Sequence, residues 1–366
     1  MPYWSLYLQR QLNLTPMLIG QLMAITLVSR IVAPNFWGFI ADHTGKHLAL
    51  VRLCAFMMVL FWIGMFFVEK YWVIALVMMG YCFFQNAILS QFEAVTVAHL
   101  GAEREKYGLI RLWGSLGFIV IVSSFGVVFD VISLHWLPLL LAVCALGCWF
   151  SSLTVPPITP AHHVRAETSL WNILKRPAVL GFLGANFLLQ MSFAPYYTFY
   201  SIFLASHHYS YTHIGGLWAL GGCSELLAFM LMHRILPKLG ARRILLGALI
   251  LTAFRWWGIG QGVNHLEVLI LLQLLNAVSF AAFHSACICL IHQHFGNGHQ
   301  GQGQALYSML WGLSAALGTY ITGQYWGRVD PTVIYSCAAI LCLMGWLWVY
   351  AMVRNPEHRL VLATAR

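Results

Sequence analysis

Long apolar blocks separated by short polar connections dominate the hydrophobic pattern of this chain. Eleven blocks have about 20 residues or more, the length that a helix needs to cross about 30 Å of hydrocarbon. The pattern predicts helices at 16–41, 48–68, 72–98, 108–130, 134–155, 177–204, 213–235, 243–262, 266–292, 304–328 and 331–354. The chain is therefore expected to be an all-α, multi-pass membrane protein.

A shorter aromatic fragment, MPYWSLYLQRQ, precedes the first complete block. It is too short to span a membrane, and neither a basic stretch nor a small-residue cleavage site identifies it as a signal peptide. We expect it to be the end of a first helix whose beginning is missing, through an upstream truncation or a misplaced start at Met1. Counting this fragment gives six helices on each side of the longest polar connection.

That connection, which begins at Val155 and contains four prolines, divides the chain into two membrane halves. Two six-helix halves related by a pseudo-twofold axis are the arrangement of many secondary transporters. The predicted organisation is an N-terminal helix bundle at 1–155, a cytoplasmic linker at 156–176, a C-terminal bundle at 177–354 and a cytoplasmic tail at 355–366.

Composition and charge agree with this organisation. Hydrophobic residues make up 60% of the 366 residues and charged residues only 8%, against about 25% in soluble domains. Of the 20 lysines and arginines, three lie in one alternating set of connections and fifteen in the other. The fifteen are Lys46, Arg52, Arg104, Lys106, Arg111, Arg165, Lys175, Arg176, Arg234, Lys238, Arg242, Arg243, Arg354, Arg359 and Arg366.

The fifteen-charge side is expected to be cytoplasmic, with the C-terminus on that side of a cell inner membrane. Topology thus accounts for the net charge of +9, and no nucleic-acid partner is predicted. All nine cysteines fall in predicted helices, and the sixteen histidines have no carboxylates at ligand spacing. We expect neither a metal nor a cofactor, and we expect the chain to act as a monomer.

The connection GFIADHTGKH contains Gly38, Asp42, Gly45 and Lys46. Glycine permits a tight reversal and aspartate can cap a neighbouring helix, so these residues fit either a plain turn or a gating loop. The loop resembles the signature of the major facilitator superfamily between helices two and three, although His47 replaces the usual second basic residue. The resemblance favours gating.

Five further segments, PYWSLYL, YGLIRLWGSLGFI, GGLWALGGCSELLAF, FRWWGIG and FHSA, resemble the 3-phenylpropionic acid transporter branch of that superfamily. This branch is related to the lactose and nucleoside proton symporters. The similarity runs from Met1 to about Pro356. It implies the major facilitator fold, alternating access, and proton-coupled uptake of a small aromatic carboxylate.

Two charges in the first half are expected to meet. A charge inside the membrane costs about 2.5 to 3.5 kcal/mol, so Arg111 needs a partner or a wet cavity. Glu93 lies at a comparable depth on the preceding predicted helix, while the alternative is that Arg111 snorkels to the headgroups and Glu93 packs in protonated form. Gly114 and Gly117 are expected to let another helix approach. The resemblance to lactose permease, which uses a Glu and an Arg on the same helices, favours a substrate site.

In the second half, Glu225, Arg255 and His284 lie in three consecutive predicted helices. They form either a functional cluster or a structural one, with Glu225 paired to Arg255 and His284 bonded to a carbonyl. Lactose-permease-like symporters carry an acid, an arginine and a histidine on these helices, but no acid follows His284 by one turn here. We assign Glu225 and His284 to proton coupling, and Arg255 and His284, with Trp218, to substrate binding.

Arg30 is the remaining cation inside a predicted helix. Three arginines against two acids leave one surplus positive charge, which suits a small anion. Aromatic residues near these charges are expected to form walls for an aromatic body: Tyr196, Tyr197, Trp218, Trp256 and Trp311.

Two other classes of protein compete with a transporter. A membrane enzyme is disfavoured because the chain has no metal-spaced histidines, nucleophile elbow or phosphate loop. A transporter-like receptor is compatible with the sequence. Among transported solutes, an oligosaccharide or a nucleoside is the alternative to an aromatic acid.

Overall fold

The structure is a computed structural model that describes residues 2–67, 70–101, 103, 107–156 and 171–353, without the side chains at 42, 171, 172 and 296–298. Most of the predicted linker and all of the predicted tail lie outside the described residues. Fourteen α-helices form in the described part, and no β-strand does. They are α1 (Trp4–Arg10), α2 (Pro16–Thr44), α3 (His47–Ile63), α4 (Tyr71–Leu100), α5 (Tyr107–Val131), α6 (Leu137–Thr154), α7 (Trp171–Leu174), α8 (Pro177–Ser192), α9 (Ala194–Ser206), α10 (Tyr211–Leu239), α11 (Ala241–Gln261), α12 (Leu266–Leu274), α13 (Phe283–Tyr325) and α14 (Pro331–Met352).

Ten helical segments of the described chain are long and apolar enough to cross a membrane, and they coincide with ten of the eleven predicted blocks. Many large apolar side chains point outward from them, as lipid contact requires; Leu271 and Leu347, for example, are 65% and 60% exposed. Two blocks are divided. The predicted helix 266–292 is divided into α12 and the start of α13 by a π-helical segment, Ala277–Ala282. The predicted helix 177–204 is divided into α8 and α9 at Phe193, because Pro195 has no N–H to continue the backbone ladder.

The predicted connection between helices 266–292 and 304–328 is helical in the structure. It forms part of α13, which nevertheless reverses direction, since His284 Nδ1 and Tyr307 Oη are 2.9 Å apart. A straight helix would separate two residues 23 positions apart by about 35 Å. A Cβ on Gly303 would lie 2.9 Å from Ile291, so glycine allows the two arms of α13 to approach closely. The polar, glycine-rich sequence predicted a loop because periodicity does not detect a helical reversal without an apolar face.

The short helix α1 is packed into the N-terminal half. Trp4 is buried and stacks on Tyr7 with 5.1 Å between ring centroids. Its indole Nε1 donates a hydrogen bond to the sulfur of Met78 on α4 at 3.3 Å. These contacts make α1 part of the core of that half.

The two halves contact each other mainly through two helix pairs, and α1 makes a smaller contact with α9. The second arm of α13 packs on α2, and α10 packs on α5. The second helix of each half, counting α1 as the first helix, therefore meets the fifth helix of the other half, which is the exchange expected from a pseudo-twofold axis. Both pairs cross at glycines: a Cβ on Gly20 would lie 2.6 Å from Gly323, and a Cβ on Gly215 would lie 3.4 Å from Gly126.

Candidate functional site

A cavity of about 390 Å³ lies between the two halves. Helices α2 and α5 line it from the first half, and α9, α10 and Asn276 line it from the second. Its polar groups include Arg30, Arg111 and Glu225, and its aromatic walls include Tyr197 and Trp218. The cavity thus combines cations, an acid and aromatic faces at the interface that would separate if the halves moved.

One end of this interface is held together by hydrogen bonds, and we call it the closed end. The Asp130 carboxylate, in the last turn of α5, accepts hydrogen bonds from the backbone N–H groups of Tyr211 at 2.8 Å and Thr212 at 2.9 Å, in the first turn of α10. Arg10 Nη1 donates to Tyr211 Oη at 2.9 Å, and Tyr3 Oη lies 3.3 Å from Tyr211 O. All hydrogen bonds that join two described residues of different halves lie at this end.

Arg111 and Glu93 are near each other across α4 and α5, with 3.9 Å between Arg111 Nε and Glu93 Oε1. About half of each side chain is exposed in the protein, so the pair is loose. Gly114 does not serve helix packing as predicted, because only Arg111 Nη1 lies within 4 Å of a Cβ built there, at 3.1 Å. A Cβ on Gly117 would touch nothing. Gly114 therefore leaves room for the guanidinium to lie along its own helix, and the close helix approach on α5 occurs at Gly126 instead.

Glu225 and Arg255 are joined through a third residue. Arg255 is fully buried, and its Nη1 donates to Asn276 Oδ1 at 2.8 Å. Asn276 Nδ2 in turn donates to Glu225 Oε2 at 3.2 Å and to Gly221 O at 3.1 Å. The alternative of a direct ion pair between Glu225 and Arg255 is therefore wrong, since an amide stands between them and bonds to both.

A second branch of this network holds Arg255 from the other side. Arg255 Nη2 donates to Gln273 Oε1 at 3.1 Å, Tyr196 Oη donates to the same oxygen at 2.9 Å, and Gln273 Nε2 donates to Tyr200 Oη at 2.7 Å. The guanidinium also lies 4.5 Å from the centroid of the Tyr196 ring. Tyr196 lines the cavity and Arg255 lies behind it, so Arg255 supports the wall in this state.

Sequence reasoning missed Gln273 and Asn276. The signal that was available is the segment LLQLLNAVS, which puts two amides three positions apart in an otherwise apolar block. Both side chains project from the same helical face, and both are buried in the structure. Buried amides in a membrane helix need partners, and here the partner is a buried arginine.

His284 is near the cavity but does not line it. Its Nδ1 is 2.9 Å from Tyr307 Oη, and its ring stacks on Phe280 with 5.9 Å between centroids. The alternative bond to a backbone carbonyl is replaced by this bond to a tyrosine on the second arm of α13. Phe229, which does line the cavity, packs edge-on against the His284 ring with 6.1 Å between centroids.

The predicted aromatic walls are divided between the cavity and the core. Tyr196, Tyr197 and Trp218 line the cavity, whereas Trp256 is fully buried. Trp218 Nε1 donates to Ser201 Oγ at 3.0 Å, which orients its ring toward Tyr197 at 6.1 Å. Trp311 does not line the cavity, but its ring lies 5.1 Å from the guanidinium carbon of Arg30.

The predicted gating loop forms the junction between α2 and α3. Gly45 ends α2 with a φ of +66°, the left-handed conformation that glycine adopts without strain, and its N–H donates to Ala41 O at 2.8 Å. His47, which follows Lys46, bonds to Gln91 on α4 with 2.9 Å between Nδ1 and Oε1. Gly38 lies 3.8 Å from the same Gln91 side chain, measured from a built Cβ. The side chain of Asp42 lies outside the described residues.

Comparison with known proteins identifies relatives along the whole chain. The model of the MFS_1 like family matches residues 1–337. The chain is 28% identical over 364 residues to the "Probable 3-phenylpropionic acid transporter" of Escherichia coli (strain K12), which covers 97% of this chain and 91% of that protein. It is 26% identical over 260 residues to the "Maltose permease" of Geobacillus stearothermophilus, or 70% of this chain and 65% of that one.

The fold also matches solved transporters. A crystal structure of a variant of the nucleoside transporter NupG superposes with a TM-score of 0.85 over 96% of this chain and 95% of that chain, at 16% sequence identity. A second NupG structure gives a TM-score of 0.74 over 95% and 93%. This confirms the predicted all-α major facilitator fold. The family match, the relatives and the fold together show that this chain is a multi-pass membrane transporter, not an enzyme, and that it belongs to the MFS_1 like family of the major facilitator superfamily.

Proposed function

We propose that this transporter imports a small aromatic carboxylate, such as 3-phenylpropionate, together with protons. The observation that carries the proposal is the cavity between the halves, in which arginines and an acid face aromatic side chains. A carboxylate at one end of a small aromatic solute matches the cations, and the ring matches the walls. The 28% identity to a protein named as a probable 3-phenylpropionic acid transporter supports the same substrate class.

In this proposal the predicted site residues form two groups, one at the cavity and one behind its wall. Glu93, Arg111 and Trp218 contact the solute, because they face or flank the cavity. Arg255 and His284 act from behind the cavity wall, through Tyr196 and Phe229 respectively.

Glu225 carries the coupling proton. It is the acid that lines the cavity, and its carboxylate bonds to Asn276, whose other bond partner is a buried arginine. A proton on Glu225 would cancel the charge that balances Arg255, so the proton and the packing of α10 would be coupled. His284 is the second proton-binding candidate.

Transport follows from rocking of the two halves about the cavity, with the loop residues Gly38, Asp42, Gly45 and Lys46 governing the switch. The excess of lysine and arginine in one set of connections supports a cytoplasmic C-terminus, with the closed end on the outer side. The described conformation is then one in which the cavity is cut off from the exterior. The protein works as a monomer in the inner membrane.

An oligosaccharide is the second candidate solute, supported by the 26% identity to a maltose permease. A neutral sugar would use the cavity's hydrogen-bonding groups and aromatic faces without needing its positive charges. A transporter-like receptor is a third candidate, and it would bind solute without moving it.

Uptake into proteoliposomes tests all three candidates. Labelled 3-phenylpropionate, maltose and a nucleoside are offered with and without an imposed pH gradient. We expect only the aromatic acid to accumulate, and only with the gradient. Accumulation of maltose instead would identify an oligosaccharide as the substrate. Accumulation without a pH gradient would show that transport is not coupled to protons. Binding of a solute that is never taken up would favour a receptor.

A further inference from the structure

Each acid near the cavity is tied to an arginine of its own. Glu93 lies 3.9 Å from Arg111, and Glu225 is linked to Arg255 through the amide of Asn276. Both units are neutral when the acids are ionised. The surplus positive charge of the site therefore belongs to one residue, Arg30.

We infer that Arg30 is the residue that binds the carboxylate of the solute and sets the preference for anions. This inference deepens the proposed function and rests on it. Arg30 projects from α2, lines the cavity and is exposed. Among the described residues, no carboxylate lies within ion-pair distance of it.

The contact with Trp311 prepares Arg30 for this role. The indole ring lies 5.1 Å from the guanidinium carbon, a distance at which a cation interacts with the face of an aromatic ring. Arg30 donates no hydrogen bond to another described residue, so the N–H groups along the edge of its guanidinium are available. A carboxylate binds along that edge through two parallel hydrogen bonds, so both interactions can be made together.

The rest of the cavity suits the body of an aromatic acid. Tyr197 lines the same cavity as Arg30, and its ring stacks on Trp218 with 6.1 Å between centroids. Phe118 and Phe229 add apolar faces from α5 and α10. A solute anchored at Arg30 by its carboxylate would place its ring among these side chains and would touch both halves, as a solute that drives their closure must.

The test compares an acid with its neutral analogue. Binding of 3-phenylpropionate and of 3-phenylpropionamide is measured by calorimetry on the purified full chain, as wild type, Arg30→Gln and Arg30→Lys. We expect Arg30→Gln to weaken binding of the acid by roughly 10- to 150-fold and to leave the amide nearly unchanged, since one charge-assisted interaction is lost. Arg30→Lys should retain part of the preference, because it keeps the charge and loses the planar edge.

The matched control is the double variant Glu93→Gln with Arg111→Gln, which removes a neutral pair from the same cavity. It should change the affinities for acid and amide together and preserve their ratio. The inference is overturned if Arg30→Gln leaves the ratio of acid affinity to amide affinity unchanged. It is also overturned if the double variant lowers this ratio as much as Arg30→Gln does, because Arg30 would then not be the residue that selects the anion. If the wild-type protein binds no aromatic acid, the proposed substrate itself is wrong. Melting curves of each variant show whether it is folded.

Discussion

Removing the Asp130 carboxylate should open the closed end of the transporter. Asp130 on α5 caps the first turn of α10, so a side chain of one half holds the backbone of the other. Asp130→Asn keeps one oxygen acceptor and loses the charge, whereas Asp130→Ala loses both acceptors. Neither change alters a membrane-buried surface, so the helices should still insert and pack.

The expected shift follows from the two hydrogen bonds. A negative charge at a helix N-terminus contributes about 0.3 to 1 kcal/mol, and replacing a capping side chain by alanine costs about 0.5 to 2 kcal/mol. Asp130 is exposed, which favours the lower part of both ranges. We expect the equilibrium between closed and open forms to move by roughly 2-fold in Asp130→Asn and roughly 3- to 7-fold in Asp130→Ala.

Spin labels across the closed end measure this equilibrium. Val131 ends α5 and Asn264 follows α11, and both side chains are exposed at the closed end on opposite halves. In a background without the native cysteines, pulsed electron resonance between labels at these positions gives the distribution of distances. We expect the population at long distances to grow from wild type to Asp130→Asn to Asp130→Ala.

Asp330 provides the control. Its carboxylate accepts a hydrogen bond from the N–H of Thr332 at 2.7 Å, so it caps α14 within the second half and holds no contact between the halves. That bonding with Thr332 lowers the pKa of Asp330, which shows that the charged form is favoured there. Asp330→Ala should therefore reduce thermal stability without changing the distance distribution. If wild type and Asp130→Ala give the same distribution of distances between the labels, Asp130 does not hold the closed end together.

Four further substitutions test the site and the crossing of helices. Arg111→Ala and Glu93→Ala should each weaken solute binding roughly 5- to 150-fold, because both side chains are proposed to contact the solute, and near-normal affinity in both would separate the pair from the substrate. Glu225→Gln should abolish uptake driven by a pH gradient while exchange of labelled solute continues; accumulation that persists would move the proton site elsewhere. Gly126→Leu should block closure, since a Cβ there already lies 2.6 Å from Tyr211 O, and the labels described above should report only the open form.

The membrane-spanning helices were predictable because a chain in lipid needs long apolar segments whose backbone N–H and C=O groups hydrogen-bond within the segment. Ten spans follow from that demand alone. The reversal inside α13 was not predictable in its form, because residues 293–303 are polar and glycine-rich, and a helical turn there leaves no apolar period to detect. The break at Phe193 was available in principle from Pro195, which is two residues further along the chain.

Some features of the candidate site could also be predicted from the sequence, and others could not. The approach of Glu93 to Arg111 was expected from equal depth on antiparallel neighbours, and it requires only the helix geometry. The bridge by Asn276 between Glu225 and Arg255 was not expected, because sequence reasoning paired opposite charges and overlooked neutral amides that satisfy both. Likewise, Gly114 was read as a packing residue, although its space is used by the side chain one turn before it.

Helix α10 connects the closed end with the proposed proton site. Its N-terminus is capped by Asp130, and Glu225 lies fourteen residues further on, about 21 Å along the axis. If Glu225 takes up the coupled proton, its bond from Asn276 loses the assistance of a negative charge, a change of about 1 kcal/mol. The cap at Asp130 is worth about the same amount. The free energy of the Asp130 cap and the change at Glu225 on protonation are thus of equal size and act on one rigid helix. Opening of the closed end can therefore favour protonation, and protonation can favour opening, while neither is large enough to hold the transporter in one conformation.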